Sequence, residues 1–137
     1  MKLIIATVSL IILMSSMVHE QNPIEMTTTS GLRFIVLKAG SGEAAKIGQE
    51  VAIYESMSYQ SGKQFYSIEK PAPAIKFTLE KKQVIAGIDE AVTGMKTGEI
   101  RKLIVPTALS KRNEYPDYLS KDSTLVYKVE LVEIVSK

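Results

Sequence analysis

The sequence has no cysteine, no tryptophan and a single histidine among its 137 residues. Without cysteine the chain cannot form disulfides or thiolate metal sites, and it has neither a cysteine nucleophile nor a cysteine that could carry a lipid. The histidine, His19, lies in the N-terminal tail, which in practice excludes a Ser-His-Asp hydrolase. No group of histidine and acidic residues has metal-site spacing. We therefore expect neither a cysteine-dependent enzyme, nor a Ser-His-Asp hydrolase, nor a metal site formed by histidine and acidic residues.

Neither sign of charge dominates the chain. Lys and Arg number 17 and Asp and Glu 15, so the formal net charge at pH 7 is only +2. This balance argues against a dedicated nucleic-acid binder. Arg101 and Lys102 are interpreted as two solvated residues of a strand rather than as a nucleic-acid patch. With 45% apolar residues, the chain can form one core, so we expect one domain with or without a tail.

Residues 1–19 differ in composition from the rest of the chain. Lys2 precedes an almost wholly apolar run from Leu3 to Met14, and polar residues begin at Glu20. This layout predicts a secretory signal peptide, and therefore a periplasmic or secreted protein. Because no clean A-x-A cleavage site is present, an uncleaved N-terminal membrane anchor is an open alternative. Residues 20–30 are polar and rich in threonine, and we predict that they form a linker.

The stretch at residues 84–99 predicts one short amphipathic helix that leads into a strand. Apolar residues recur with the spacing of one helical face at Ile88, Ala91, Val92 and Met95. Gly94 suits the left-handed residue that commonly follows a helix. Asp89 falls in the first turn, where the helix dipole favours negative charge. A pairing of Asp89 with Glu55 as the two carboxylates of a glycosidase is possible only in principle.

Alternating apolar and polar residues predict several antiparallel strands around this helix. The clearest run, from Glu50 to Tyr59, places one set of side chains on an inward face: Val51, Ile53, Glu55, Met57 and Tyr59. Further strand-like runs occur at 31–38, 74–79, 100–105 and 124–135, whereas 107–123 predicts a long polar loop. The expected fold class is α+β, with a sheet wrapped on one helix.

Short motifs follow one another in a specific order along residues 27–137. They are Thr29-Ser30-Gly31-Leu32, Gly40-Ser41-Gly42, Ser61-Gly62-Lys63-Gln64-Phe65, Phe77-Thr78-Leu79, Val84-Ile85-Ala86-Gly87, Gly94-Met95-Lys96-Thr97-Gly98-Glu99 and Thr124 to Leu131. Together they resemble the FK506-binding-protein (FKBP) family of peptidyl-prolyl cis-trans isomerases, and the opening motif resembles exported bacterial members. The resemblance implies an FKBP-like domain over residues 31–137, with a five-stranded antiparallel sheet wrapped around one short helix.

The resemblance also implies a pocket for a proline ring between the sheet and the helix. Matched to the family's motifs, the pocket would be formed by Phe65, Ile75, Val84, Ile85, Ile88 and Tyr127, with Glu55, Tyr66 and Lys111 at its rim. A dry pocket of this kind speeds rotation about an X–Pro bond without an acid, a base or a nucleophile. The resemblance therefore implies neither a metal nor a cofactor.

Several of these positions depart from the family's pattern, which predicts a divergent pocket. Ile88 stands where the family usually has tryptophan, which reduces the surface against which a proline can stack. Glu55 and Tyr66 replace residues of a hydrogen-bonding cluster, and Lys111 replaces the tyrosine of a flap. For each apolar pocket residue taken alone, ordinary core packing is an open alternative.

Two groups of polar and aromatic residues have competing interpretations. Glu55 could make a polar contact in an altered groove, or it could lie at a wet rim, solvated or paired with Lys111 or Arg112. Tyr115, Tyr118 and Leu119 could close over the groove or contact a partner, or they could belong to a surface loop whose two tyrosines pack on the sheet.

The sequence therefore leaves two functional hypotheses. The first is an exported FKBP-type isomerase (rotamase) of low activity that binds proline-containing segments of unfolded envelope proteins and assists their folding. The second is a non-catalytic binding or chaperone module with a re-lined pocket on the same fold. Acceleration of X–Pro exchange would distinguish the first hypothesis from the second.

Overall fold

The computed structural model describes residues 23–135, so the predicted signal peptide or anchor at 1–19 lies outside the described residues. The strands are β1 (Glu25–Thr27), β2 (Arg33–Lys38), β3 (Ser41–Ala44), β4 (Glu50–Tyr59), β5 (Gln64–Ile68), β6 (Ile75–Thr78), β7 (Lys96–Thr97), β8 (Ile100–Val105) and β9 (Leu125–Ile134). One α-helix, α1, spans Ala86–Val92, and a 3-10 helix spans Thr107–Leu109. Between residues 23 and 135, no helix is long and apolar enough to cross a membrane.

Seven strands form one antiparallel sheet in the order β1-β2-β8-β9-β4-β5, with β6 also paired to β4. Since β5 pairs with residues 55–58 of β4 and β6 pairs with residues 50–53, these two strands occupy one position in the sheet. The five expected strand positions are therefore β2, β8, β9, β4 and the position that β5 and β6 share. Strand β1 adds an edge, and β3 pairs with β7 separately. The α+β fold class is confirmed.

The sheet and the helix share one hydrophobic core. In β4, the predicted inward residues Val51, Ile53 and Met57 are buried. Strand β9 contributes Leu125, Tyr127, Val129 and Leu131, and α1 contributes Ile88, Ala91 and Val92. Because β4 and β9 are paired along most of their length, the inward side chains of the two strands lie side by side in this core.

The predicted helix is present but ends earlier than the apolar pattern suggested. Helix α1 ends at Val92, and Gly94 has a φ of 94°, the left-handed geometry predicted for it. The N–H of Gly94 donates to the carbonyl of Ala45 at 2.8 Å. Met95 is fully buried, but it reaches the core from the turn after the helix rather than from the helix itself.

The segment predicted as a linker contains an edge strand. Residues 25–27 form β1, which pairs antiparallel with β2. A half-exposed ion pair joins Glu25 to Arg33 across the two strands at 3.3 Å. The threonine-rich composition of residues 26–29 is compatible with a strand as well as with a linker. Because residues 25–27 pair with β2, this part of the segment is a strand.

Arg101 is not the solvated strand residue that the sequence suggested. Its guanidinium forms an ion pair with the buried Glu99 and donates to the carbonyl of Ala91 at 3.1 Å. The guanidinium carbon also lies 4.5 Å from the ring centroid of Phe34. Lys102, by contrast, is exposed. The side chain of Arg101 therefore connects β8 to α1 and β2.

Candidate functional site

A cavity of about 140 Å³ is bounded by the sheet, helix α1 and the loop after β8. Five aliphatic side chains form most of its wall: Ile53, Ile75, Val84, Ile85 and Ile88. Four polar or aromatic side chains complete it: Glu55, Tyr66, Arg112 and Tyr127. The cavity is therefore apolar on the side of the helix and carries a few polar groups on the side of the strands and the loop.

The structure brings together seven of the nine residues that the sequence placed in the pocket. Those seven are Glu55, Tyr66, Ile75, Val84, Ile85, Ile88 and Tyr127. Phe65 and Lys111 do not line the cavity, whereas Ile53 and Arg112 do. Ile53 was predicted to face inward by the alternation of β4, so that pattern could have identified it. The role of these residues in binding a substrate stays a prediction.

Phe65 lies at a bulge in β5 and does not line the cavity. Met57 pairs with Tyr66 but Ser58 pairs with Gln64, which leaves Phe65 as the extra residue of the pair of strands. A bulge of this kind changes the direction in which the neighbouring side chains point. The ring of Phe65 packs edge-on against Tyr59, with centroids 4.3 Å apart, and stacks on Tyr118 at 5.2 Å. Phe65 thus supports the site from the side instead of lining it.

Glu55 is half-buried in the cavity wall and paired with Tyr66. The Tyr66 hydroxyl donates to Glu55 Oε1 at 2.8 Å. Burial raises the pKa of the Glu55 carboxyl above its ordinary value, although the hydrogen bond from Tyr66 and the charge of Arg112 act in the opposite direction. Burial and the neighbouring Glu55 carboxylate also raise the pKa of Tyr66, so its phenol stays protonated and remains a hydrogen-bond donor.

The raised pKa of Glu55 predicts a pH-dependent stability. The folded state binds this proton more tightly than the unfolded chain does, so its contribution is full below pH 4.5, the ordinary value, and is lost as the pH rises through the folded-state pKa. Glu55→Gln should therefore raise the melting temperature at pH 7 and 8 but not at pH 3.5 to 4. Thermal unfolding across this range tests the expectation, with Glu43→Gln on exposed β3 as the control. A Glu55→Gln protein that is less stable at pH 7 would contradict it.

Arg112 reaches the cavity from the loop and contacts Tyr127 at the cavity wall. Its Nη2 donates to the Tyr127 hydroxyl at 3.1 Å, and its Nε donates to the carbonyl of Ser110 at 3.3 Å. The Tyr127 hydroxyl in turn donates to Met57 Sδ at 3.0 Å. Burial raises the pKa of Tyr127 despite the nearby guanidinium. Tyr127 therefore keeps its proton at neutral pH, and the Arg112 guanidinium brings a positive charge to the cavity wall.

The cavity adjoins a wider groove of about 810 Å³, with which it shares Val84, Ile85 and Arg112. Lys111 lines this groove rather than the cavity. One wall of the groove is residues 80–83, where Glu80 and Lys82 have φ values of 63° and 55°. Left-handed backbone at two residues other than glycine is uncommon. The groove offers an extended surface next to the smaller cavity.

A comparison with protein families decides what this arrangement is. The family profile described as FKBP-type peptidyl-prolyl cis-trans isomerase matches residues 41–132, which is more than half of the chain. The chain belongs to this family. Its cavity lies within the matched residues, so we call it the FKBP cavity.

Several relatives and solved structures support the assignment. The chain is 39% identical over 100 residues to the 46 kDa FK506-binding nuclear protein of Spodoptera frugiperda, covering 72% of this chain and 24% of that protein. It is 31% identical over 120 residues to peptidyl-prolyl cis-trans isomerase Mip of Coxiella burnetii, covering 87% of this chain and 51% of that protein. The chain thus spans between about a quarter and a half of the length of these relatives.

The crystal structure of FkpA from Escherichia coli superposes with a TM-score of 0.71 at 30% identity, covering 82% of this chain and 52% of that one. AtFKBP13 superposes with a TM-score of 0.72 at 22% identity, covering 82% and 99% of the two chains, and at that identity it supports the fold alone. The FKBP fold that the resemblance implied is confirmed.

The two carboxylates considered for glycoside hydrolysis do not share the FKBP cavity. Asp89 lies in the first turn of α1, as predicted, and lines the groove. Its Oδ1 accepts a hydrogen bond from the backbone N–H of Glu80 at 2.9 Å. Glu55 lines the cavity and is bonded to Tyr66. Asp89 therefore has a structural role, which argues against a carboxylate pair.

Within residues 23–135, no three histidine or acidic side chains are grouped so that they could hold a metal ion.

The long loop at 107–123 is packed onto the FKBP domain. Leu119 is buried in the core, and Tyr115 packs against it with a half-buried ring. Tyr118 is 55% exposed, but its carbonyl accepts a hydrogen bond from the Tyr59 hydroxyl at 3.0 Å. Packing on the sheet is therefore the interpretation that fits both tyrosines, and the loop holds Arg112 in place at the cavity.

Proposed function

We propose that this chain is an exported FKBP-type peptidyl-prolyl cis-trans isomerase of low activity that assists the folding of envelope proteins. The observation that carries the proposal is the FKBP cavity, a small space with five aliphatic residues in its wall beside a wider groove. A dry cavity of roughly 150 Å³ in another protein holds a six-membered hydrocarbon ring. At about 140 Å³, this one is large enough for a proline ring, and the groove can hold the peptide on either side.

The chemistry needs no group that gains or loses a proton. Rotation about an X–Pro bond is slow because it breaks amide resonance, with a barrier of roughly 18–20 kcal/mol. An apolar cavity removes water from the amide, and binding that favours the twisted over the planar amide lowers the barrier. Ile75, Ile85 and Ile88 supply the apolar surface, and Tyr127 supplies an aromatic wall.

The exported setting is supported by the N-terminal sequence. The basic and apolar layout of residues 1–19 is that of a signal peptide, which would deliver the domain to the periplasm or outside the cell. If these residues are not cleaved, they would tether the domain to the membrane. The clients would then be proline-containing segments of unfolded envelope proteins.

A non-catalytic binding or chaperone module is the second candidate. Its support is the charge inside the FKBP cavity, where Glu55 and Arg112 stand next to the aliphatic wall. The divergent pocket inferred from Ile88, Glu55 and Lys111 points the same way, because a smaller stacking surface and buried charge would lower the rate of rotation. The low activity in our first proposal reflects the same residues.

The cis/trans exchange rate of a short Phe-Pro peptide, measured by NMR with the purified protein, separates the two candidates. Acceleration over the spontaneous rate would support the isomerase and exclude the binding-only module. No acceleration by a protein shown to be folded would overturn the isomerase proposal. Thermal unfolding of the same sample supplies the folding control.

A further inference from the structure

We propose that the groove beside the FKBP cavity selects peptides that carry an acidic residue next to the proline. This inference rests on the proposed binding of proline in the cavity and names the substrate class that the site would prefer. Six charged residues line the groove: Glu80, Lys82, Asp89, Glu90, Lys111 and Arg112. Their formal charges cancel, so any preference depends on which charges are available to a ligand.

Two of the three acidic residues are hydrogen-bonded within the protein. Asp89 accepts from the backbone N–H of Glu80 at 2.9 Å and is 8% exposed. Both carboxylate oxygens of Glu90 lie within hydrogen-bond distance of the Ser30 hydroxyl, at 2.7 and 2.6 Å. These bonds tie the two carboxylates to the protein. Only the side chain of Glu80 has no partner among the described residues.

The basic residues are available to a ligand. Lys82 and Lys111 are exposed, and neither side chain has a hydrogen-bond or ion-pair partner in the part of the chain that the structure describes. Arg112 uses Nε for the Ser110 carbonyl and one N–H of Nη2 for Tyr127. A guanidinium has five N–H donors, so three remain for a ligand. The groove therefore has no net charge, but free N–H donors remain on Lys82, Lys111 and Arg112, whereas of its three carboxylates only that of Glu80 has no donor within the described residues.

The position of these cations determines which residue of a peptide they would meet. Arg112 lines both the cavity and the groove, so its guanidinium lies where the two meet. Lys111 precedes it in the chain and lines the groove alone. With a proline ring in the cavity, the peptide backbone can continue into the groove past the residues that the two spaces share, Val84, Ile85 and Arg112. An aspartate or glutamate next to the proline would then gain the attraction of Arg112 and Lys111.

A matched peptide series tests the inference with the full chain. One set places Glu, Gln or Lys immediately before the proline, and a second set places them immediately after it. We expect Glu to improve affinity and catalysed exchange by roughly two- to fivefold over Gln on one flank, the effect of a solvent-exposed ion pair, and Lys to reduce both. The advantage should fall at high salt, because exposed charges are screened.

The assignment to the groove lysines is tested by substitution. In Lys82→Gln/Lys111→Gln, the Glu-to-Gln ratio should fall below that of the parent protein, because only Arg112 is then left to attract the acidic side chain. Lys102→Gln removes the same charge from an exposed position of β8 outside the groove and should leave the ratio as it is.

A Glu-to-Gln ratio near one on both flanks, or a ratio as large in the double variant as in the parent protein, would overturn the inference. Binding and exchange are measured separately, so the failures can be told apart. If no peptide is accelerated, the proposed isomerase is wrong, but the affinities still report the preference for charge. If all peptides are accelerated equally, the isomerase stands and the acidic preference is wrong.

Discussion

Gly40→Ala is expected to destabilise the domain by about 3 kcal/mol, whereas Gly42→Ala two residues away should cost only about 1 kcal/mol. A Cβ at Gly40 would lie 2.6 Å from the carbonyl oxygens of both Lys96 and Thr97, and 2.8 Å from the amide nitrogen of Glu99. All three contacts are with backbone. A Cβ at Gly42 would meet nothing within 4 Å.

The turn that Gly40 contacts cannot move aside without breaking its own hydrogen bonds. The N–H of Gly98 donates to the carbonyl of Leu131 at 2.8 Å, and the N–H of Leu131 donates to the carbonyl of Glu99 at 3.0 Å. These bonds fix the turn after β7 to strand β9, which is part of the core. The cost of Gly42→Ala has a different origin, namely its φ of 87°, which a residue with a Cβ adopts at roughly 1–2 kcal/mol.

Thermal and urea unfolding of the two variants beside the parent protein measure the difference. Both substitutions reduce the entropy of the unfolded chain by the same amount, so that effect cancels between them. For a domain of this size, 3 kcal/mol corresponds to a drop in melting temperature of more than about 10 °C. Equal losses for the two variants would show that the turn can shift away from Gly40.

Local patterns in the sequence predicted most of the fold. The alternation of β4 and the helical spacing from Ile88 onward depend on a single element facing the core, so they can be seen in the sequence. Gly94 was predictable for the same reason, because a left-handed residue after a helix is a local requirement. The Gly40-Ser41-Gly42 segment was recognised only as one of the ordered short motifs. The close approach to Lys96 depends on a pairing more than fifty residues away, which no local pattern encodes.

The candidate site was predicted less completely because its details are set by tertiary contacts. Phe65 lies at a one-residue shift in the pairing of β4 and β5, and no pattern in the sequence of either strand indicates that shift. Lys111 and Arg112 are adjacent cations in an irregular loop, and nothing in the sequence states which of them reaches Tyr127. Arg101 has the same ambiguity, since its burial depends on Glu99 and Phe34 meeting across two strands.

Tyr127→Ala is expected to reduce catalysed X–Pro exchange by roughly tenfold or more. Burying one large apolar side chain contributes about 1.5–3 kcal/mol, and the substitution removes this contact between the ring and the substrate. The ring lines the FKBP cavity and is 2% exposed, so its removal would also join the cavity to new space and admit water. The same change should cost about 3–5 kcal/mol of folding stability. The exchange assay is therefore run well below the melting temperature of the variant, with circular dichroism as the check on folding.

Two further variants separate the ring of Tyr127 from its hydroxyl and from general destabilisation. Tyr127→Phe keeps the wall but removes the acceptor for Arg112 and the donor to Met57. It should lower stability by about 1 kcal/mol and change the exchange rate by less than about threefold. Ile75→Ala shortens a half-buried residue of the cavity wall at the start of β6. It should cost less folding stability than Tyr127→Ala and should still slow exchange several-fold. If Tyr127→Ala and Ile75→Ala are both folded and exchange at the parent rate, rotation does not take place in this cavity, and the groove beside it becomes the site to test.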